Sequence, residues 1–193
     1  MKTFTATIQG LSSLIQHRFS ESAEARSSTR AAVVEERIPR DEAEKCSYRM
    51  KDGTCYHPGA SIARLLREAG GNHKLVGTRK SAKYSVPAAV IVNEEILVLT
   101  NGDGKTPIKD FEVDSRPVVI PATKGRVMRH RPRHDCWSTK FTLEINEKIL
   151  PTDFVHKLLV EGGQQLGLGD FRPEKGGPFG RFSVVSWKEL PKK

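Results

Sequence analysis

A glycine-rich segment near the end of the chain constrains its fold most, because neither a regular helix nor a regular strand accommodates it. The segment LGLGDFRPEKGGPFGRF runs from Leu166 to Phe182, between a helix-like and a strand-like run. Its glycines are Gly167, Gly169, Gly176, Gly177 and Gly180, and its cations are Arg172, Lys175 and Arg181. Glycine reaches positive φ and lets another backbone approach closely, and successive exposed N–H groups form a concave surface that suits phosphate. We predict a backbone surface that binds a polyanion, with a long connection that binds nothing as the alternative.

The charge and composition favour a nucleic-acid partner. The chain has 193 residues and a formal net charge of +9, which suits one domain with a real core and predicts a polyanionic ligand. No apolar run approaches the ~20 residues needed to cross a bilayer, and the N-terminus has no signal-peptide pattern. Three cysteines, an odd number, favour a reducing compartment over a disulfide framework. We expect a soluble, cytoplasmic protein with no membrane partner.

Hydrophobic periodicity gives a coarse order of elements. The predicted elements are a strand over Phe4–Ile8, a helix capped by Ser61, a strand–turn–strand unit over Val86–Leu99, a short strand near Pro117, a strand over Trp137–Ile145, a helix from Pro151 to Gly162–Gly163 and a strand over Phe182–Trp187. This order matches the βαββαβ ferredoxin-like (RRM-like) unit, an α+β fold in which two helices cover one face of an antiparallel sheet.

Two long polar stretches interrupt this framework within a single predicted domain over residues 1–193. The first, at about residues 16–55, is too long for a plain connection, so we predict a functional insertion or a mobile arm. It alternates arginine with glutamate, which favours contact between subunits. The second insertion, at about residues 100–135, is predicted to be a basic loop.

The basic loop contains a dense block of cations that precedes Asp135. The block consists of Lys124, Arg126, Arg129, Arg131 and Arg133, with no acidic residue among them. Clustered like charges repel, and neutralising phosphates is the simplest reason for a protein to keep them together. Arginine also favours bidentate phosphate contacts and stacking on bases. A solvated surface loop is the alternative. Trp137 follows the block and is predicted either to stack on a base or to enter the core.

Three features, taken in this order, resemble the RAMP superfamily of CRISPR effector complexes. The first is the N-terminal strand followed by GLSSL. The second is YHPGASIARLLREA, where Pro58, Gly59, Ser61, Ile62 and Arg67 fall on the pattern that opens the superfamily's first helix, while Ala60 and Ala63 depart from it. The third is the glycine-rich loop followed by Phe182 and a strand. The resemblance is closest to the backbone subunits that line the guide RNA, and it leaves both insertions unassigned.

The resemblance implies binding of single-stranded nucleic acid, with RNA favoured over DNA, by a homo-oligomer or a subunit of a ribonucleoprotein complex. It implies that the first insertion is a thumb-like arm and that the first helix directs its N-terminus at the nucleic-acid backbone, where free N–H groups attract phosphate. An ordinary solvated helix face is the alternative for Arg64 and Arg67. The predicted contacts are Arg18, Ser61, Arg64, Arg67, Lys124, Arg126, Arg129, Arg131, Arg133, Trp137, Gly167, Gly169, Arg172, Lys175, Gly176, Gly177 and Arg181.

A catalytic function is the second hypothesis. His17 follows the first strand, where processing ribonucleases of the superfamily carry a general base, so a metal-independent endoribonuclease stays open. Some relatives cleave target RNA with an aspartate in the early loop, but residues 10–30 contain no aspartate. We predict no cofactor and no metal, because the spacing of Cys46, Cys55 and His57 is not that of a zinc knuckle. A third hypothesis is an interaction protein that docks on a ribonucleoprotein complex.

Overall fold

The computed structural model describes residues 1–19, 38–75, 77–119 and 124–191. The strands in this part of the chain are β1 (Lys2–Gly10), β2 (Leu14–Ile15), β3 (Tyr56–Pro58), β4 (Val90–Val92), β5 (Ile96–Val98), β6 (Glu112–Val119), β7 (Arg126–His134), β8 (Ser138–Ile145) and β9 (Phe182–Glu189). The helices are α1 (Pro39–Lys45), α2 (Ala60–Ala69), α3 (Val86–Ala89) and α4 (Thr152–Gln165). Among these residues, no helix is long and apolar enough to cross a membrane.

The main sheet is antiparallel and has the strand order β4-β8-β1-β9. Its centre is β1, which pairs with β8 from Lys2 opposite Ile145 to Gln9 opposite Ser138, and with β9 on the other side. The alternation in β1 buries Phe4, Ala6 and Ile8, because successive side chains of a strand point to opposite faces. The α+β class and the antiparallel sheet are confirmed.

The helices α2 and α4 bury their apolar sides in the same core as these strands. The sequence predicted that Gly162–Gly163 ends or interrupts α4, and this was wrong, because the helix continues through both glycines to Gln165. A Cβ on Gly162 would overlap the side chain of Leu65, and one on Gly163 would lie 2.6 Å from the ring of Phe182. The two glycines therefore let α4 approach α2 and β9 closely instead of terminating the helix.

A second layer is built from the two predicted insertions. The predicted basic loop is instead largely the antiparallel hairpin β6–β7, paired from Glu112 opposite Arg133 to Val119 opposite Arg126, and β2 extends this sheet. The helix α1 packs on the hairpin, and Arg40 donates to the carbonyl oxygen of Phe111 at 2.7 Å. Residues 20–37 of the predicted arm lie outside the described residues.

The predicted strand–turn–strand unit over Val86–Leu99 does not form. The segment begins with α3, which has Pro87 in its first turn, a position that proline favours. The following strand β4 pairs with β8, whereas β5 pairs with β3. This β3–β5 pairing fixes the start of α2, since the N–H of Gly59 donates to the carbonyl oxygen of Glu95 at 2.8 Å. The N-cap of α2 is Gly59 and not Ser61.

Candidate nucleic-acid interface

A cavity of about 410 Å³ lies between the start of α2 and the glycine-rich loop. Its lining residues are His17, Tyr48, His57, Pro58, Ala60, Ser61, Arg64, Gly167, Leu168, Gly169, Asp170 and Arg172. The structure thus brings together several sequence-predicted residues that are far apart in the chain, Ser61 and Arg64 from the helix and Gly167, Gly169 and Arg172 from the loop. We call this space the α2–loop cavity.

The first turn of α2 forms one wall of the cavity. The first N–H groups of a helix have no acceptors within the helix, and they carry a partial positive charge that attracts anions. The hydroxyl of Ser61 donates to the carbonyl oxygen of Pro58 at 2.6 Å. This bond shapes the entry to the helix. Within the same turn, the N–H of Ile62 already donates to the carbonyl oxygen of Gly59 at 3.0 Å.

The glycine-rich loop forms the opposite wall, but most of its N–H groups are already used. The N–H groups of Gly167, Gly176, Gly177 and Gly180 donate to backbone carbonyl oxygens at 2.8–3.0 Å. The prediction of a broad backbone surface for phosphate was wrong for these four positions. Gly169 differs, because it lines the cavity and its N–H has no acceptor among the described residues. The loop glycines mainly serve close packing of the backbone.

Two arginines on the cavity share one carboxylate. Arg64 contacts Glu174 at 2.7 Å, and Arg172 contacts the same carboxylate at 2.8 Å. Arg172 also donates to the carbonyl oxygen of Gly169 at 2.7 Å, which fixes its guanidinium against the loop. Asp170 also lines the cavity and pairs with Arg131, so three arginines and two carboxylates leave a net charge of about +1 here. This balance favours an anionic ligand.

His17 and Asp170 meet at the mouth of the cavity. The Nδ1 of His17 lies 3.3 Å from Asp170, and the guanidinium of Arg131 lies 2.7 Å from the same carboxylate oxygen. The hydrogen bond from His17 and the charge of Arg131 lower the pKa of Asp170 to about 2, against the opposing effect of burial. The N–H of Asp170 donates to the carbonyl oxygen of Ile15 at 2.8 Å, so this residue joins the loop to the second layer.

The predicted basic block is divided into ion-paired and unpaired cations along β7. Arg131 is only 7% exposed and pairs with Asp170, so the prediction that it is a surface phosphate contact was wrong. Arg129 pairs with Glu42 at 3.5 Å and Arg133 with Asp135 at 2.8 Å. Lys124 and Arg126, near the tip of the hairpin, are exposed and have no ion-pair partner among the described residues.

Trp137 belongs to the core, which is one of the two alternatives that the sequence left open, and it is not available to stack on a base. The side chain is 1% exposed and packs edge-on against Phe182. Its indole N–H donates to the carbonyl oxygen of Ser12 at 2.9 Å. The residue fits because Gly10 leaves room for the indole, whose atoms a Cβ at that position would meet.

His57 lines the cavity and was missed as a binding residue by the sequence analysis. It is 5% exposed, and neither ring nitrogen has a hydrogen-bond partner. Burial, with smaller effects from His134 and Arg172, lowers the pKa of His57 to about 4. The imidazole is therefore neutral at neutral pH, with one N–H donor and one nitrogen acceptor, both buried and without a partner. Its position next to Pro58–Gly59 was the signal that could have identified it.

The remaining predicted contacts lie around the cavity without lining it. Arg18, Lys175, Gly176 and Arg181 are exposed, and Gly177 is buried. Arg67 lies on α2 beyond Arg64, in a groove described below. Among the described residues, no group of three or more His, Cys, Asp or Glu side chains is arranged to hold a metal ion.

The comparison with solved structures identifies a shared fold. A chain of the type III-B Cmr-beta structure bound to cognate target RNA matches with a TM-score of 0.56 and 10% identity, over 98% of this chain and 60% of that chain. This protein has the fold of that Cmr-beta chain. It spans only 60% of the other chain's length.

Other comparisons add less. Cmr6 from Pyrococcus furiosus matches with a TM-score of 0.47 and 12% identity, over 95% of this chain and 98% of that chain. No family model and no curated protein sequence matches this chain. The match to the Cmr-beta chain shows a shared fold alone, and its identity of 10% carries no residue roles across.

Proposed function

We propose that this protein binds single-stranded nucleic acid, with RNA preferred over DNA, in the α2–loop cavity. The observation that supports this function best is the composition of the cavity wall. The first turn of a ten-residue helix, a net positive pair of arginines and the unpartnered ring of His57 all face one space. Helix N–H groups and guanidinium groups suit a phosphate, and a neutral imidazole suits a ribose hydroxyl or a phosphate oxygen.

RNA is preferred in this proposal because of the structural comparison. The Cmr-beta chain that shares this fold belongs to a structure bound to target RNA. We propose accordingly that this protein is a RAMP-superfamily subunit of a cytoplasmic ribonucleoprotein complex, or a homo-oligomer on RNA.

We propose further that the main sheet with α2 and α4 is a ferredoxin-like βαββαβ unit within one domain. The strand order β4-β8-β1-β9 supports this topology, since α2 lies between β1 and β4 in the chain and α4 lies between β8 and β9. The β6–β7 hairpin and α1 then form an added layer on this unit.

A charge substitution at the first turn of α2 tests the binding proposal. Ser61→Asp places a carboxylate where a phosphate would lie, whereas Ser61→Asn has almost the same shape without the charge. An acidic residue in the first turn is favourable for the helix itself, so the variant should stay folded. We expect Ser61→Asp to weaken binding of labelled single-stranded RNA by about tenfold relative to Ser61→Asn, measured by fluorescence anisotropy. Equal affinities of the two variants would place the phosphate elsewhere.

The ligand class is tested in the same assay. Single-stranded RNA, single-stranded DNA and duplex DNA are compared across a salt series, because phosphate contacts make affinity fall as salt rises. Binding that is tightest for single-stranded RNA is the expected result. No binding to any of the three overturns the proposal and leaves an interaction protein that docks on a ribonucleoprotein complex.

A metal-independent endoribonuclease is a second candidate, which the geometry of His17 favours. Its Nδ1 is oriented by Asp170, and the half-exposed ring lines the cavity, as a general base requires. Under this hypothesis His17→Ala abolishes cleavage of bound RNA, seen on a denaturing gel, while the affinity of RNA is retained. RNA that remains intact with the unmodified protein rules this candidate out.

A further inference from the structure

A group of unpaired cations lies in a turn that the sequence analysis did not single out. The turn follows α2 and carries Lys74, Arg79 and Lys80, all exposed. No carboxylate among the described residues lies within ion-pair distance of any of the three. This contrasts with the arginines on β7 and on the cavity, several of which have a carboxylate partner.

The turn is anchored to the end of α2. Lys74 and Ser81 form an antiparallel bridge, and the N–H of Ala82 donates to the carbonyl oxygen of His73 at 2.9 Å. The hydroxyl of Ser81 donates to the carbonyl oxygen of Gly70 at 3.2 Å. These bonds tie the backbone of the turn to the end of α2, so the backbone that carries the cations is held in place.

An exposed aromatic ring follows the same turn. Tyr84 ends a short 3-10 helix over Ala82–Tyr84 and is 81% exposed. A single exposed aromatic side chain is ordinary in itself. Unpaired cations beside an exposed aromatic ring, however, are the combination with which proteins bind single strands, since phosphates contact the cations and a base stacks on the ring.

A groove along α2 adjoins the α2–loop cavity. The groove has a volume of about 240 Å³ and runs along α2, lined by Ala60, Ala63, Arg64, Leu66, Arg67, Val86, Pro87 and Val90. Ala60 and Arg64 also line the cavity, so the two spaces adjoin at the start of the helix. At its other end the groove reaches Arg67 and Pro87, three residues from Tyr84. The helix has ten residues, a length of about 15 Å.

The charges along this groove do not oppose a polyanion. Glu68 is the acidic residue of α2, and both Lys83 and Arg67 contact it, at 2.7 Å and 3.0 Å. The side chains that line the groove are therefore cationic or apolar, and the carboxylate of Glu68 beside them is neutralised by Lys83 and Arg67.

We infer that a single strand held in the α2–loop cavity continues through the groove along α2, contacts Lys74, Arg79 and Lys80, and stacks one base on Tyr84. We call these four residues the α2 exit surface. The nature of the ligand rests on the proposed function, whereas the path rests on the shared lining of the cavity and the groove. The path makes affinity depend on the length of the strand, because a short oligonucleotide fills the cavity without reaching Tyr84.

A length series tests the path. Labelled oligouridines of about four and about twelve nucleotides, within the usual range of single-strand site sizes, are measured with the unmodified protein and with Tyr84→Ala. We expect Tyr84→Ala to weaken binding of the longer strand by at least about fivefold and to leave the shorter strand unchanged. Tyr84→Trp should restore the loss, because it supplies a stacking surface.

The charges are tested separately by a triple variant in which Lys74, Arg79 and Lys80 are replaced by alanine. It should lower the slope of log affinity against log salt for the longer strand by about two. The matched control replaces Lys105, Lys109 and Lys148, which are also exposed and lie away from the path, and it should leave the slope nearly unchanged.

The outcomes distinguish the path from the proposed function. If Tyr84→Ala and the triple alanine variant bind the longer strand as tightly as the unmodified protein, the path is wrong, while loss of binding in Ser61→Asp still supports the cavity. If the unmodified protein binds neither oligonucleotide, the proposed function fails and the path fails with it.

Discussion

At the scale of single residues, Gly176 and Gly180 show two reasons for glycine in the glycine-rich loop: a left-handed backbone at both, and close backbone packing at Gly180 alone. Both have a left-handed backbone, with φ of 76° and 71°. A Cβ on Gly180 would overlap the carbonyl oxygen of Leu168, whereas no atom lies within 4 Å of a Cβ on Gly176. We expect Gly176→Ala to lower the free energy of unfolding by about 1 kcal/mol, the cost of the backbone alone, and Gly180→Ala by about 2 kcal/mol or more.

Urea denaturation of the two variants measures this difference directly. The positive φ is common to both, so a larger loss at Gly180 reports the steric overlap. Similar losses for both variants would contradict the close backbone packing of the loop.

The buried histidines predict sensitivity to acid. His134 is 3% exposed with no partner on either ring nitrogen, and burial, with a smaller effect from Arg49, lowers its pKa to about 4. Histidine in the unfolded chain titrates near 6.5, so the unfolded state binds more protons between pH 6.5 and 4. The free energy of unfolding therefore falls as the pH drops through this range, by at most about 1.4 kcal/mol per unit for this group.

His134→Phe removes this contribution while keeping an aromatic ring in the site. We expect a flatter dependence of the free energy of unfolding on pH between 6.5 and 4, measured by urea denaturation, with the contribution of His57 remaining. An identical dependence in the variant would show that His134 is protonated in the folded protein or exposed to water.

At the scale of elements, the pair of Arg131 and Asp170 fastens the glycine-rich loop to β7. Removing one member of a buried ion pair leaves the other charge uncompensated, which is strongly destabilising. We expect Arg131→Gln to lower the free energy of unfolding by about 2 kcal/mol or more. The matched control Arg126→Gln, on the same strand but exposed, should change it by less than about 0.5 kcal/mol.

Circular dichroism during thermal unfolding checks both variants. If Arg131→Gln is as stable as the control, Arg131 does not pair with Asp170 in solution. The sequence-based prediction that Arg131 contacts a phosphate would then stand again.

At the scale of the whole molecule, a single strand could bind either in the α2–loop cavity or on the face of the main sheet opposite the buried residues of β1. Thr3, Thr5 and Thr7 alternate with the buried residues of β1, and Thr5 lies opposite Thr142 of β8. Threonine side chains offer no ring on which a base could stack. We expect the double variant Thr5→Ala, Thr142→Ala to bind single-stranded RNA within about twofold of the unmodified protein, measured by anisotropy. A tenfold loss would instead place the RNA across the sheet.

Alternation of apolar and polar residues in the sequence predicted much of the framework. The apolar faces of β1, β8 and α2 were predicted correctly, because apolar residues recur every two residues in a strand and about every 3.6 residues in a helix. The hairpin β6–β7 was predicted as a loop because its arginines hide the alternation that normally marks a strand. The partners of those arginines, Glu42 and Asp170, lie too far away in the chain for any local pattern to reveal.

The sequence by itself determined the α+β class and the positions of the two main helices, because local periodicity is a property of short segments. Only the tertiary structure decided which cations are free. It paired Arg129, Arg131 and Arg133 with carboxylates, left Lys74, Arg79 and Lys80 unpaired among the described residues, and buried Trp137 and His57. Ion pairing and burial depend on distances between residues remote in the chain, and those distances exist only once the chain has folded.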